Sequence, residues 1–266
     1  MENIISIEEF NALSEEEKDE YIAMMAEQFG PKLANLEYID CYEMFTHTEP
    51  ENWEDSDIEP DIPQIEWVDL GLPSGTLWAS CNIGAKTPYE AGLYFAWGET
   101  VGYTSEQVGV ERTFNWESYK YGTSDNITKY NDYDNKVELD DEDDAAYVIF
   151  GDGHYTPSSY QIQELINTGN TTISSASNIN CISITSNING NVLYLPVVGS
   201  ATGNSISEYG QYSEILSRTI NQNDVTKSVL LDFGIEGFFE LGDNWNRFMG
   251  IQIRPVNKLI IIDVPE

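Results

Sequence analysis

The chain has 266 residues, with 46 Asp or Glu against 12 Lys or Arg, a formal net charge of −34 and a sequence pI near 4.1. This charge excludes ordinary binding to nucleic acids or anionic membranes, because phosphate recognition requires a basic surface. A hydrophobic fraction of 41% and an aromatic fraction of 12% are too high for a chain that stays unfolded, so we expect most of it to fold.

The acidity is concentrated at the N-terminus. Residues 1–66 contain 20 acidic and 2 basic residues, whereas residues 67–266 contain 26 acidic and 10 basic residues. The start of the chain lacks the basic and apolar segments of a secretory signal, and no run approaches the roughly 20 apolar residues of a membrane span. We therefore expect a protein that is made in the cytoplasm without a visible leader.

Two regions precede the main domain. In residues 1–45, a capping box at Ser14 and Glu17 predicts a helix, and its narrow apolar face is typical of an arm that packs on a partner. Residues 46–64 are rich in acids and prolines without any Lys or Arg, which predicts an extended linker.

Residues 65–266 are expected to form one β-rich domain with two helices. Short apolar runs separated by Gly, Asn, Asp and Pro predict strands at 66–70, 76–82, 93–97, 179–185, 192–198, 211–218, 228–233, 248–255 and 259–264. One helix is predicted over 145–150 behind an acidic run, and another from Ser158 or Ser159 to about 168. The pattern favours an α+β class.

An ordered series of motifs in this domain resembles a known family. VDLGLPSGTLWASCNIGA at 68–85 is followed by YFAWGET at 94–100, LDDEDDAA at 139–146 and GIQIRPV at 250–256. The series is similar to the Fibrobacter succinogenes major paralogous domain family. The resemblance implies a C-type-lectin-like fold and a binding role, and it supplies no ligand. A family Trp is missing after Tyr212.

The sequence indicates no enzyme. With 46 acidic residues, pairs of carboxylates arise by chance. The formylglycine-generating enzymes that share the implied fold use cysteines and copper, whereas Cys81 lies within a strand motif. Three cysteines, far apart and odd in number, are expected to be reduced thiols.

No metal site is predicted, although calcium stays open at two places. The acidic run 140–144 is explained by a helix N-terminus, where acids are favoured, but it could also supply oxygen ligands to calcium. A β-hairpin turn explains the Gly, Asp and Asn residues of 242–247 equally well.

Ligand contacts are predicted in two polar segments near the C-terminus, which we read as loops. A ligand such as a glycan or a host surface protein would meet their amides, charges and aromatic side chains. The candidate residues are Tyr212, Arg218, Asn221, Asn223, Asp243, Asn244, Trp245, Asn246 and Arg247.

Together these features predict a non-enzymatic structural and binding protein. We expect a phage virion component, such as a head fibre, a decoration protein or a tail-associated adhesin, which is homo-oligomeric and attaches to other virion proteins through its acidic arm. One alternative is a bacterial cell-surface adhesin, and another is a DNA-mimic inhibitor that uses the charge of −34.

Overall fold

The computed structural model describes residues 65–176 and 179–257, together with Leu13, Ser14, Lys18 and Tyr21. The chain divides into two units, Met1–Pro60 and Asp61–Glu266, and nearly all the described residues belong to the second. The linker predicted at 46–64 and the strand predicted at 259–264 lie outside the described residues, and so does the predicted arm except for these four residues, among which the N–H of Lys18 donates to the carbonyl of Ser14 at 2.9 Å.

The second unit is built mainly from short strands. They are β1 (Trp67–Asp69), β2 (Leu77–Ala79), β3 (Gly122–Thr123), β4 (Asn126–Ile127), β5 (His154–Tyr155), β6 (Thr171–Ala176), β7 (Cys181–Ser186), β8 (Val192–Pro196), β9 (Ser200–Thr202), β10 (Ser205–Ser207), β11 (Tyr212–Ile220), β12 (Lys227–Gly234), β13 (Phe239–Asn246) and β14 (Val256–Asn257).

The strands form five small antiparallel sheets. One sheet has four strands in the order β1-β2-β14-β5, two sheets have three strands (β6-β7-β8 and β11-β12-β13), and β3-β4 and β9-β10 are two-stranded ribbons. The β11-β12-β13 sheet carries the two longest pairings and positions the candidate site described below.

The described part of the chain contains two short α-helices, α1 (Ala145–Phe150) and α2 (Ser159–Leu165). Asp144 caps α1 by accepting a hydrogen bond from the backbone N–H of Ala146. Ser158 and Gln161 form a reciprocal capping box at the start of α2. The helix predicted at 145–150 is confirmed, and the helix predicted from Ser158 or Ser159 is confirmed at its start but ends at Leu165 rather than at about 168. Neither helix among the described residues is long and apolar enough to cross a membrane.

The fold class predicted from the sequence is wrong. We expected an α+β, C-type-lectin-like domain behind a helical arm, whereas the described chain is mostly β-strand in small antiparallel sheets with two short helices. Helix α1 ends at Phe150 because Gly151 follows it with a positive φ of 85°. Helix α2 ends at Leu165, after seven residues. The polar segment around Gly242, which we had read as a turn, belongs to the strand β13, and the polar segment of β6, for which no strand was predicted, pairs with β7.

The two faces of the β11-β12-β13 sheet contribute to different hydrophobic cores. Leu216 and Leu230 belong to a first core that surrounds Trp97. Ile215 and Leu231 point to the opposite face and belong to a second core, which also contains residues of α2. Because both faces are packed along most of its length, this sheet is a rigid support for the side chains at its edge.

Candidate functional site

A row of three carboxylates crosses the β11-β12-β13 sheet on one face. Glu214 in β11 is paired with Asp232 in β12, and Asp232 is paired with Glu240 in β13. Directly paired residues of antiparallel strands project from the same face, with Cβ atoms about 5 Å apart. Like charges in such positions are destabilising, so the row needs an explanation beyond folding.

Two carboxylates of the row are buried, and one of their oxygens has no partner. Glu214 is 2% exposed and Asp232 is 7% exposed, whereas Glu240 is exposed. The Oε2 atom of Glu214 makes no hydrogen bond. A buried polar atom without a partner costs about 1 to 3 kcal/mol, and such atoms are uncommon in folded proteins.

The row borders an open cleft of about 380 Å³. The residues that line this cleft are Glu208, Tyr212, Glu214, Asp232, Phe238 and Trp245. We call it the acidic cleft. Glu208 stands on a turn in which its φ is 62°, a left-handed conformation that is uncommon outside glycine. Its backbone carbonyl accepts hydrogen bonds from the N–H groups of Gln211 and Tyr212, which fixes the rim.

Two glycines make room for aromatic rings on the sheet face. A Cβ atom at Gly234 would lie 2.9 Å from ring carbons of Tyr212, and one at Gly242 would lie 2.9 Å from Cζ3 of Trp245. The two rings therefore pack directly on backbone that carries no side chain. Phe238 meets Tyr212 edge-to-face with ring centroids 6.5 Å apart. The cleft thus combines aromatic surfaces with carboxylates.

The electrostatics of the acidic cleft are one-sided. Burial, followed by the negative charges of Asp232 and Glu208, raises the pKa of Glu214 to about 7, although the nearby polar groups of Ser200 and Trp245 act in the opposite direction. Burial, followed by the charges of Glu240 and Glu208, raises the pKa of Asp232 to about 6.

No base among the described residues balances these charges. Within 65–176 and 179–257, no Lys or Arg lies within ion-pair distance of any of these four carboxylates. At neutral pH the cleft therefore presents uncompensated negative charge beside aromatic rings.

This arrangement can hold a positively charged group that is larger than a metal ion. Among the described residues, the group whose carboxylate oxygens converge within 4.8 Å of one another is Asp140, Glu142 and Asp143, not the carboxylates of the cleft. Compact cations need several oxygens at about 2.0 to 2.6 Å. An organic cation instead uses carboxylates and aromatic faces together.

The convergent acidic group before α1 already forms ion pairs with a lysine. The Nζ atom of Lys129 lies 2.8 Å from Asp140, 3.1 Å from Glu142 and 2.6 Å from Asp143. The ammonium group of Lys129 takes the central position that calcium would need. Of the two readings of the run 140–144, the structure favours helix capping and ion pairing.

Two of the predicted ligand residues, Tyr212 and Trp245, lie in the acidic cleft. Asn221 and Asn223 belong to the turn between β11 and β12, and Asp243 lies beside this turn in β13. The side-chain amide of Asn221 donates to the backbone carbonyl of Asp243 at 2.7 Å, and its oxygen accepts from the N–H of Asn223 at 2.8 Å. These side chains stabilise the end of the β11–β12 hairpin.

Three other predicted residues do not line the acidic cleft. Asn244 is exposed on β13, and Asn246 accepts a hydrogen bond from Nζ of Lys227 at 2.7 Å. The guanidinium of Arg218 lies 4.9 Å from the ring centroid of Tyr155. The turn predicted at 242–247 is wrong, because residues to Asn246 belong to β13.

Arg247 is a core residue rather than a ligand contact. Its side chain is completely buried, and its carbon Cζ lies 4.5 Å from the ring centroid of Trp97. Its Nε donates to the hydroxyl of Tyr119 at 2.8 Å, and the other nitrogens donate to the backbone carbonyls of Lys129, Tyr130 and Val225. All of its donors serve the fold, so it cannot reach a ligand in solution.

Sequence reasoning missed the carboxylates and Phe238. The sequence did contain a signal for the carboxylates. Glu214 in SEILS and Asp232 in LLDFG are acidic residues inside largely apolar strands, and acidic residues are rarely buried without a reason. The row itself depends on strand register, which the sequence does not show.

A second cavity of about 600 Å³ has a different character. Apolar side chains dominate its lining, including Ile83, Leu93 and Phe150, and its polar groups include Cys81 and Lys86. Cys81 is a free thiol. This cavity lacks the combination of paired buried carboxylates and aromatic rings that distinguishes the acidic cleft.

Comparisons with protein-family models, curated proteins and solved structures find no match for the chain. The resemblance to the Fibrobacter succinogenes family therefore stays a prediction, and the chemistry of the acidic cleft rests on its own geometry.

Proposed function

We propose that this is a non-enzymatic binding protein that receives a positively charged group of its partner in the acidic cleft. The observation that carries the proposal is that the Oε2 atom of Glu214 has no hydrogen-bond partner. Glu214 as a whole is only 2% exposed, and it lines the cleft. A cationic ligand would supply the missing partner.

The energetics favour a cation over a neutral ligand. A buried carboxylate without a counter-charge either stays ionised at a cost or takes up a proton, and the raised pKa of Glu214 reflects this conflict. A neutral sugar could stack on Tyr212 and Trp245 but would leave the charge uncompensated. A cation satisfies both the carboxylates and the aromatic faces.

Acid–base catalysis is a weaker explanation of the carboxylate pair. Enzymes that use two carboxylates keep one protonated and one ionised, so their environments push the two pKa values apart. Here burial raises the pKa of both Glu214 and Asp232.

Binding of a cationic peptide tests this proposal. We expect the protein to bind a capped pentapeptide that contains one Arg and one Lys, and not an equally long peptide with neither, as measured by NMR titration at pH 8. The charge-matched control is Glu236→Gln, an exposed site in the β12–β13 turn, which should bind as the wild type does. The double variant E214Q/D232N should lose binding. Equal binding of both peptides would contradict the proposal.

We also propose that this binding protein is a phage virion component. The support is the sequence alone: a strongly acidic N-terminal region, with 20 acidic residues against 2 basic ones in 1–66, is adapted to attach to a basic surface such as that of a capsid protein. Mass spectrometry of purified particles tests this assignment. Detection in stoichiometric amounts supports it, and absence from particles that are otherwise complete would contradict it.

A further inference from the structure

We propose that the group bound in the acidic cleft is the guanidinium of an arginine side chain on the surface of a partner protein. The inference rests on the proposed function and names its ligand. It follows from the shape of the cleft and from a second site in the same molecule that already holds an arginine.

The geometry of the cleft matches a planar cation. Neighbouring strands lie about 4.8 Å apart, so Glu214 and Asp232 offer oxygens on two adjacent strands. A guanidinium presents several N–H donors in a flat fork that can span two acceptors and stack on an aromatic ring at once. Tyr212 and Trp245 supply such rings on the sheet face. An ammonium is a compact point charge and gains less from this arrangement.

The chain contains a complete example of this arrangement elsewhere. One guanidinium nitrogen of Arg112 donates to both carboxylate oxygens of Glu99 at 2.8 Å. The same guanidinium lies 5.8 Å from the ring centroid of Tyr103 and 5.4 Å from that of Phe114. Glu99 is 8% exposed, so a buried carboxylate is satisfied there by an arginine whose guanidinium lies beside two aromatic rings. The acidic cleft has equivalent components and lacks the arginine.

The missing arginine must come from another kind of molecule. The sequence has four arginines, at 112, 218, 247 and 254. Each of them is already committed to internal contacts: Arg112 to Glu99, Arg218 to Leu139, Arg247 to Tyr119 and Arg254 to Asn82. A second copy of this chain could therefore supply one only by breaking these internal contacts. The net charge of −34 also repels another copy and attracts a basic partner.

The test compares three capped tripeptides that differ in one side chain. The probes are Ac-Gly-Arg-Gly-NH₂, Ac-Gly-Lys-Gly-NH₂ and the neutral isostere Ac-Gly-citrulline-Gly-NH₂, titrated into the full chain at pH 8. The readout is the chemical shift of the Trp245 indole N–H, assigned with a Trp245→Phe variant. We expect the arginine peptide to bind about tenfold more tightly than the lysine peptide, and the citrulline peptide not to bind.

Further arms locate the site and the source of the ligand. E214Q should weaken binding of the arginine peptide about tenfold. E236Q removes the same charge outside the cleft and should leave this affinity unchanged. Gly234→Ala keeps every carboxylate but displaces the Tyr212 ring, so it should reduce the preference for arginine over lysine. Free arginine carries its own carboxylate and should bind more weakly than the capped peptide. Tighter binding of free arginine would identify a small-molecule site and overturn the assignment to a protein partner.

The outcomes separate the two proposals. If the lysine peptide binds as tightly as the arginine peptide, or if calcium displaces the arginine peptide at equal concentration, the guanidinium assignment is overturned while the cationic site stands. If neither charged peptide binds, the proposed function itself fails.

Discussion

Replacing Glu214 by Gln should stabilise the protein at alkaline pH, although it removes a group of the binding site. Burial and the neighbouring charges raise the pKa of Glu214 from 4.5 to about 7 in the folded protein. One pKa unit corresponds to about 1.4 kcal/mol, so the ionised carboxylate costs about 3 kcal/mol at pH 8 relative to the unfolded chain. The neutral amide avoids this cost but must satisfy its own N–H groups, which leaves a net gain of about 2 kcal/mol.

The sign of the effect depends on pH. Because the pKa is raised by folding, the folded protein holds the Glu214 proton more tightly than the unfolded chain between pH 4.5 and about 7. The stability of the wild type therefore falls as the pH rises through this window. Below pH 4.5 both states carry the proton, and the advantage of E214Q should vanish. The charged groups that raise the pKa of Glu214 in addition to its burial are Asp232 and Glu208.

Urea unfolding of wild type and E214Q at pH 8 and pH 5 measures this difference. Glu164 provides a matched control, since it is also a buried glutamate at 7% exposure. Its carboxylate accepts hydrogen bonds from the backbone N–H of Ser74, at 2.8 Å, and from the Ser74 hydroxyl. E164Q should therefore destabilise the protein by about 1 kcal/mol at pH 8. If E214Q destabilises the protein equally at both pH values, other groups of the protein compensate the charge of the cleft carboxylates.

Three other substitutions probe the surrounding structure. Arg247→Lys should cost about 3 kcal/mol in urea unfolding, because an ammonium cannot replace a buried fork that donates to four oxygens. Lys129→Met should lower the free energy of unfolding by about 2 kcal/mol at pH 7, because Asp143 loses its main partner. Burial acts to raise the pKa of Asp143, but hydrogen bonds, first among them that of Lys129, outweigh burial and hold this pKa well below its usual value. This loss should disappear in acid, as the pH falls through the depressed pKa of Asp143 in the wild type; a loss that is the same at pH 7 and pH 2 would contradict the ion pair. Gly242→Ala should weaken binding of the arginine peptide several-fold, because the added Cβ atom displaces the Trp245 ring. The free energy of unfolding should change by less than about 1 kcal/mol.

Local sequence signals predicted the elements that depend on local chemistry. The serines at 158 and 159 located the start of α2, and the apolar runs located β7, β8, β11 and β12. These signals succeed because capping and alternation are set by neighbouring residues.

The fold class required information that neighbouring residues do not carry. The strand β13 was read as a turn because Gly242, Asp243 and Asn244 are typical turn residues. In the structure, Gly242 is needed because the Trp245 ring packs against its backbone. The polar strand β6 likewise forms through pairing with β7 rather than through its own composition.

The candidate site was predicted only in part for a similar reason. Tyr212 and Trp245 were identified by their aromatic character, whereas Glu214, Asp232 and Glu240 become a row only through the register of three strands. Arg247 was misplaced because a charged residue after a polar segment is usually exposed, whereas here its guanidinium is satisfied inside the core.

The pKa of Glu214, measured by ¹³C NMR of its side-chain carboxyl in the free and peptide-bound protein, tests the central claim most directly. If the carboxylates of the acidic cleft are uncompensated and bind a cation, the pKa of Glu214 is about 7 in the free protein. It falls when the arginine peptide saturates the site, because a bound positive charge favours the ionised carboxylate. A pKa near 4.5 in the free protein, or one that the bound peptide leaves unchanged, would contradict the account.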